Sequence, residues 1–319
     1  MPAPLHPQAA KFLADRAALG LPVAGDAPIS TLRKNTHLFI NDGGPSEAVA
    51  STQLKTIPTP TADISALVIT PEGSGPFPVL LFFHGGGWVF NFIEMYQAPL
   101  SAIANRTKSV VIAANYQKAP EHKFPIPFDD CWASVEWTIE NAKTLNIDPK
   151  KIAVSGDSAG GNLASAVALK ARDQNIQLAY QLLLYPCNQR DTDTESMNDY
   201  AEGYGLTRDR MAYLWDQYLN GNSDDKNPYA VPHSATTLKG LAPAIVILAQ
   251  CDVLYSDGKK YAQRLTDEEV SVSMREYPGM VHGFFSHGAF VTDSLRLREE
   301  ISEEINKILG SYITSRIDK

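Results

Sequence analysis

KIAVSGDSAGGNLASAVALKAR, from Lys151 to Arg172, reads as a strand, a sharp turn and a helix. The apolar run Ile152 to Val154 enters a glycine-flanked serine, and an alanine-rich segment with helical spacing leaves it. Ser158 sits on the turn. Gly156 and Gly160 lie two residues to either side of it, where a Cβ would crowd the neighbouring strand and helix at so tight a bend. The serine hydroxyl is therefore held above a sheet at a helix N-terminus, where peptide dipoles favour developing negative charge. That is a nucleophile's position. The same pentapeptide also occurs as an ordinary turn, so the assignment depends on partners elsewhere in the chain.

Outward from this stretch, short apolar runs alternate with helical ones. Candidate strands are Gln53 to Ile57, Ile64 to Thr70, Val79 to Phe83, Val110 to Ala114, Ile152 to Ser155, Tyr180 to Tyr185, Ala244 to Ala249 and Val272 to Tyr277. Helices are expected over Tyr96 to Arg106, Phe128 to Leu145, Ala159 to Arg172, Lys259 to Asp267 and Ser294 to Ile313. The alternation implies an α/β fold with a mostly parallel eight-stranded sheet covered on both faces. A short amphipathic helix over QAAKFLADRAALG, stopped by Gly20, precedes the sheet, and the segment after it reads as loop, with Pro28, Gly43, Gly44 and Pro45. Between Tyr185 and Ala244 the connection is too long for an ordinary loop and contains a helical pattern over Asp209 to Leu219, which suggests a lid that pairs with the N-terminal helix.

A second motif, His84-Gly85-Gly86-Gly87-Trp88, follows the apolar run PVLLFF directly. Consecutive glycines let the backbone approach a substrate and turn its N–H groups towards it. Aimed at an acyl oxygen, such donors form an oxyanion hole; Gly86, Gly87 and Ala159 are the expected contributors. A phosphate-cradling loop is the competing reading, but no Gly-Lys-Ser/Thr follows.

A serine hydroxyl needs a base, and the base needs an orienting carboxylate. Of seven histidines, His282 stands in a glycine-flanked loop after the last strand. His287 is its nearby rival. His84 is expected to brace its own loop, and His122 and His233 to be structural. For the acid, Asp252 begins the loop after the strand PAIVILA, while Asp257, about one turn further on, is expected to be exposed at a helix start as an N-cap. The order Ser158, Asp252, His282 is that of an α/β-hydrolase. Trp88, Phe90, Met211, Leu214 and Trp215 are candidates for the substrate pocket, and equally for the core of the cap.

The 319 residues suit one large α/β domain spanning 1–319 with an appended cap. A net charge of -8 without a basic block argues against a nucleic-acid partner or an anionic membrane surface. No signal-like N-terminal run and no stretch of about eighteen apolar residues is present, so the sequence reads as a cytoplasmic protein without stable membrane anchoring. Cys131, Cys187 and Cys251 have neither disulfide nor metal spacing and read as buried apolar groups; no metal is expected.

HGGGW at 84–88, GDSAGGN at 156–162 and the Asp252, His282 tail together resemble the hormone-sensitive-lipase-like group of α/β-hydrolases, the bacterial family IV esterases. Asn115-Tyr116-Gln117-Lys118-Ala119-Pro120-Glu121-His122-Lys123-Phe124-Pro125 and the opening PLHPQAAKFLADRAALGLP add to the likeness, which covers nearly the whole chain. The resemblance implies the α/β-hydrolase fold, hydrolysis of small-molecule carboxylic esters with short to medium acyl chains, and no cofactor. It also implies a cap built from about 1–50 and about 190–235, and it admits a homodimer. A small-ligand receptor on the same scaffold, or an amidase or lactonase variant, are the alternatives; receptors of this group lose the histidine that is present here. The family often has Asp-Pro-Leu-x-Asp-Glu-Gly around the acid, whereas this chain has Asp252-Val253-Leu254-Tyr255-Ser256-Asp257-Gly258. Asn91-Phe92 stand where the family commonly places a glycine.

Overall fold

The structure, a computed structural model, describes residues 2–23, 25–221 and 223–317. Its helices are α1 (Pro7–Ala18), α2 (Ile29–Thr36), α3 (Gln97–Thr107), α4 (Ile126–Glu140), α5 (Ala142–Leu145), α6 (Ala159–Asp173), α7 (Glu195–Asp199), α8 (Arg208–Tyr218), α9 (Tyr255–Asp267) and α10 (Thr292–Ile317). Its strands are β1 (Ser51–Pro58), β2 (Asp63–Thr70), β3 (Phe77–Phe83), β4 (Val110–Ala114), β5 (Ile147–Asp157), β6 (Gln181–Leu184), β7 (Ala244–Cys251) and β8 (Val272–Val281). They form one eight-stranded sheet in the order β1-β2-β4-β3-β5-β6-β7-β8. β1 and β2 are antiparallel to their neighbours, and β3 to β8 run parallel.

The burial pattern follows the sequence. FPVLLFF and VVIAA, apolar at almost every position, become β3 and β4 in the middle of the sheet and are buried nearly throughout. β1 is exposed along most of its length, as an edge strand with Gln53, Lys55 and Thr56 must be. α6 is buried along nearly its whole length because its alanines and glycines let it press against β5 and α4. α3 packs on α10.

Four expectations about elements need correction. The segment after α1 contains a helix, α2, rather than loop alone; it buries only Leu32 and is tied down by Arg33, which donates to the carbonyls of Val89 and Ala119 at 2.8 Å each. The helix expected over Phe128 to Leu145 is broken at Asn141, whose amide donates back to the Trp137 carbonyl at 2.9 Å and competes with continuation. α9 begins at Tyr255 rather than Lys259, which moves Asp257 inside the helix. In the long connection after β6, α8 is capped by the Thr207 hydroxyl accepting from Arg210 N–H at 3.1 Å, and α7 is a second helix without a counterpart in the expectations.

Candidate active site

Each expected chemical residue follows directly on the carboxyl end of a parallel strand: His84 after β3, Ser158 after β5, Asp252 after β7 and His282 after β8. Parallel strands deliver those ends to one rim, which is why positions far apart in sequence meet. His282 Nδ1 lies 2.7 Å from Asp252 Oδ2, and His282 Nε2 lies 2.8 Å from Ser158 Oγ. An ionised carboxylate can only accept, so Nδ1 carries the proton and Nε2 is left to accept from the serine hydroxyl. Asp252 is buried at 1 % exposure, and its second oxygen accepts from Leu254 N–H at 3.0 Å, which fixes its plane. Ser158 adopts φ 56°, ψ -121°, a conformation unfavourable for a residue with a Cβ. The bend survives because Gly156 and Gly160 admit backbone contact; a Cβ on Gly160 would overlap the Phe83 carbonyl, and one on Gly156 the Gly160 carbonyl.

The glycine loop reaches the same rim. Gly86 and Gly87 take φ 106° and 60°, and their N–H groups have no protein acceptor among the described residues. Ala159 is the first residue of α6, where an amide N–H has no intrahelical partner. A Cβ on Gly87 would overlap Leu214 of α8. His84 holds this loop from below: its Nδ1 is 2.7 Å from the Gly85 carbonyl, its ring stacks on Tyr116 at 4.4 Å, and Tyr116 OH donates to the His84 carbonyl at 2.7 Å. Burial, with the Lys118 charge adding to it, pushes its pKa well down, so the ring is neutral.

A cavity of about 400 Å³ opens at Ser158 and His282. One part of its wall comes from α1 and α2, through Phe12, Leu13 and Leu32, and another from Leu206, Met211 and Leu214. Of the five pocket candidates, Phe90, Met211 and Leu214 border this cavity. Trp88 and Trp215 do not. Trp88, at φ 59°, turns away from the cavity to stack on Tyr218 at 4.3 Å and to meet Trp215 at a tilt, 4.4 Å between centroids, so both tryptophans are core.

Asp157, the residue before the serine, was not singled out by the sequence reading. Its Oδ1 accepts from Gly85 N–H at 2.6 Å and its Oδ2 from Tyr96 OH at 3.1 Å, so it ties the bend to the glycine loop. Asn91, at φ 64°, donates to Tyr96 OH at 3.2 Å and closes this chain of bonds from the cavity side. The motif GDSAG contained the signal, but only the fold shows what the carboxylate faces. Burial pushes its pKa up to about 6, against the Gly85 N–H, the His282 ring and the Tyr96 hydroxyl. A folded-state pKa above the unfolded value means the native state binds the extra proton. Stability from this group is therefore lost as pH rises from about 4 through 6, on the order of 3 kcal/mol. Asp157→Asn is expected to remove that dependence. Its melting temperature relative to wild type should rise between pH 4.5 and pH 7.5, as thermal unfolding at both pH values would show; a constant difference would refute the assignment.

The remaining candidates fall elsewhere. Asp257 was expected at an exposed helix start; it is 2 % exposed, accepts from Asn188 N–H at 2.7 Å and Gln189 N–H at 3.1 Å, and lies 3.1 Å from His233 Nε2. The early start of α9 turns it inwards, where it pins the beginning of the long connection. Ser256 bonds reciprocally with Ser196 of α7, through Ser196 N–H at 3.1 Å and Ser256 N–H at 3.0 Å. His287 borders the cavity but packs its ring at a tilt against Phe12, 4.2 Å between centroids, and burial drives its pKa down to about 3. The three cysteines are buried and unbonded to one another. Among the described residues no group of three or more His, Cys, Asp or Glu side chains is arranged to hold a metal, and no helix is long and apolar enough to cross a membrane.

Comparison with known proteins gives the geometry its context. Residues 80–286 match the family described as having the alpha/beta hydrolase fold. The carboxylesterase NlhH of Mycobacterium tuberculosis is 36 % identical over 218 residues, 67 % of this chain and 68 % of that protein. An arylesterase of Saccharolobus solfataricus is 33 % identical over 254 residues, 79 % of this chain and 83 % of that one. Among solved structures, an ester hydrolase from the metagenome of Lake Arreo superposes with a TM-score of 0.91 at 32 % identity, covering 96 % of this chain and 99 % of its own. A hyperthermophilic esterase from the archaeon Pyrobaculum calidifontis gives 0.90 at 33 % identity, with the same coverage of 96 % and 99 %.

Proposed function

The chain belongs to the α/β-hydrolase family, in its hormone-sensitive-lipase-like group, and from that premise we propose that it hydrolyses carboxylic esters through Ser158, His282 and Asp252. The observation that carries this reading is the continuous relay of 2.7 Å and 2.8 Å from the Asp252 carboxylate through the imidazole to the serine hydroxyl. Ser158 Oγ attacks the ester carbonyl as His282 Nε2 takes its proton. The carbonyl oxygen becomes an oxyanion and accepts from the N–H groups of Gly86, Gly87 and Ala159, each worth roughly 3 kcal/mol in the transition state. His282 then returns the proton to the leaving alcohol. Water, deprotonated by the same nitrogen, releases the acid and restores the serine. Asp252 keeps Nδ1 protonated and stabilises the imidazolium that forms in each half of the cycle.

Segments 1–50 and 190–235 act as the cap. Support comes from the two sides of the cavity wall they supply and from their mutual contacts, such as Ala3 N–H donating to Tyr200 OH at 3.2 Å. A cavity of about 400 Å³ with Phe12, Leu13 and Leu32 in its wall suits short to medium acyl chains. The activity is tested by p-nitrophenyl butyrate and p-nitrobutyranilide run side by side. Faster turnover of the ester by several orders of magnitude is expected, because the poorer amine leaving group gains nothing specific from this site. An anilide cleaved at the same rate or faster would overturn the esterase reading.

A further inference from the structure

Arg210 is a cation that the protein leaves open at its substrate cavity. It lies on α8 one helical turn before Leu214, the residue that presses on Gly87, and it borders the cavity alongside Phe90 and Met211. Its Nε is buried without a hydrogen-bond partner, and no hydrogen bond or ion pair of its side chain occurs among the described residues. The neighbouring cations are all engaged. Arg208 pairs with Asp209, Arg190 with Asp216 and Asp225, Arg33 with Glu121, and Arg16 with Asp42 across the same cavity. Asp157, the other charged group there, is occupied by Gly85 and Tyr96. Burial alone lowers the pKa of Arg210, with no carboxylate near enough to oppose it.

Such a group is costly to the folded protein. The side chain is partly exposed; its Nε is buried and has no partner, and its approach to the Phe90 ring, 5.9 Å from the centroid, offsets only part of the hydration that Nε loses. A planar guanidinium matches a carboxylate fork by two parallel hydrogen bonds. We propose that Arg210 is a recognition residue for a carboxylate carried by the ester substrate, so that half-esters of dicarboxylic acids are favoured over neutral esters of the same length. This rests on the esterase reading above. Arg210, Gly86 and Gly87 line the same cavity, and Leu214, one turn further along α8, presses on Gly87, so an ester held at the glycine loop lies in the cavity that Arg210 borders. The contact is local: with a net charge of -8 the molecule does not draw anions from a distance.

The test compares monomethyl adipate with methyl hexanoate, and 4-acetoxybutyrate with butyl acetate, by pH-stat on the wild type and on Arg210→Met. The first pair places the carboxylate on the acyl side and the second on the alcohol side. The wild type should prefer the charged member of at least one pair. Arg210→Met should lower that preference about 10- to 100-fold, the value of a charge-assisted bond, while melting within a few degrees of the wild-type temperature because no hydrogen bond or ion pair of the arginine is lost. A parallel arm measures binding of monomethyl adipate and of 4-acetoxybutyrate by calorimetry to Ser158→Ala with and without Arg210→Met; about tenfold or greater weakening of either is expected with the arginine removed. Turnover of neutral esters with no charge preference in either pair, or a preference that Arg210→Met keeps, would overturn the role of Arg210 and leave the esterase reading intact. Turnover of none of the four esters would count against the esterase reading, and calorimetry would still decide Arg210: unchanged binding of both ligands in the double variant refutes it.

Discussion

Ser158→Ala is expected to lower kcat for p-nitrophenyl butyrate by about a million-fold while leaving the melting temperature within a few degrees of wild type. Loss of the hydroxyl removes the attacking atom. On the proposed mechanism the N–H groups of Gly86, Gly87 and Ala159 would still polarise a bound carbonyl, which is why a residual rate above water is expected rather than none. The fold should tolerate the change, because among the described residues the Ser158 side chain bonds only to His282, while its backbone N–H donates to the Leu184 carbonyl at 2.9 Å. Alanine at φ 56° keeps the same Cβ and adds no new strain. Full retention of activity would mean that another group attacks the ester.

The second large effect is expected at Asp252. Asp252→Asn should cost about ten-thousand-fold in kcat near neutral pH. Asparagine is nearly isosteric, and its oxygen can still accept from Leu254 N–H. Its amide would then face His282 Nδ1 as a donor. The imidazole would be forced to accept there and carry its proton on Nε2, where it cannot take the serine proton. Such a variant should keep its affinity for a neutral inhibitor and lose the chemical step, so kcat falls with little change in KM. A loss of less than tenfold would show that the carboxylate does not set the tautomer.

The parts of this arrangement that were legible in the sequence are those fixed by local chemistry. β3, β4 and β5 announced themselves as apolar runs, and each site residue stands directly after the end of a parallel strand, so its place at the rim followed from the sheet. Gly156 and Gly160 marked the bend because nothing larger fits there. What could not be read was set by contacts distant in sequence. α2 carries one buried side chain, and Arg33 holds it through carbonyls at positions 89 and 119. Trp88 resembled a pocket residue by type, but its positive φ sends it into the core beside Tyr218. Asp257 resembled an exposed cap until α9 proved to start earlier. Nothing in the sequence sets Arg210 apart, and only the pairing of its neighbouring arginines shows that it stands without a partner among the described residues.

The arrangement as a whole depends on Ser158 being made nucleophilic by the imidazole of His282. The direct measurement is mass mapping after reaction with a fluorophosphonate, which traps an activated serine as a stable adduct. One equivalent should attach, all of it on the peptide that contains Ser158, and labelling should fail in both the Ser158→Ala and His282→Ala proteins. Stoichiometric labelling at any other residue, or undiminished labelling without His282, would contradict the account.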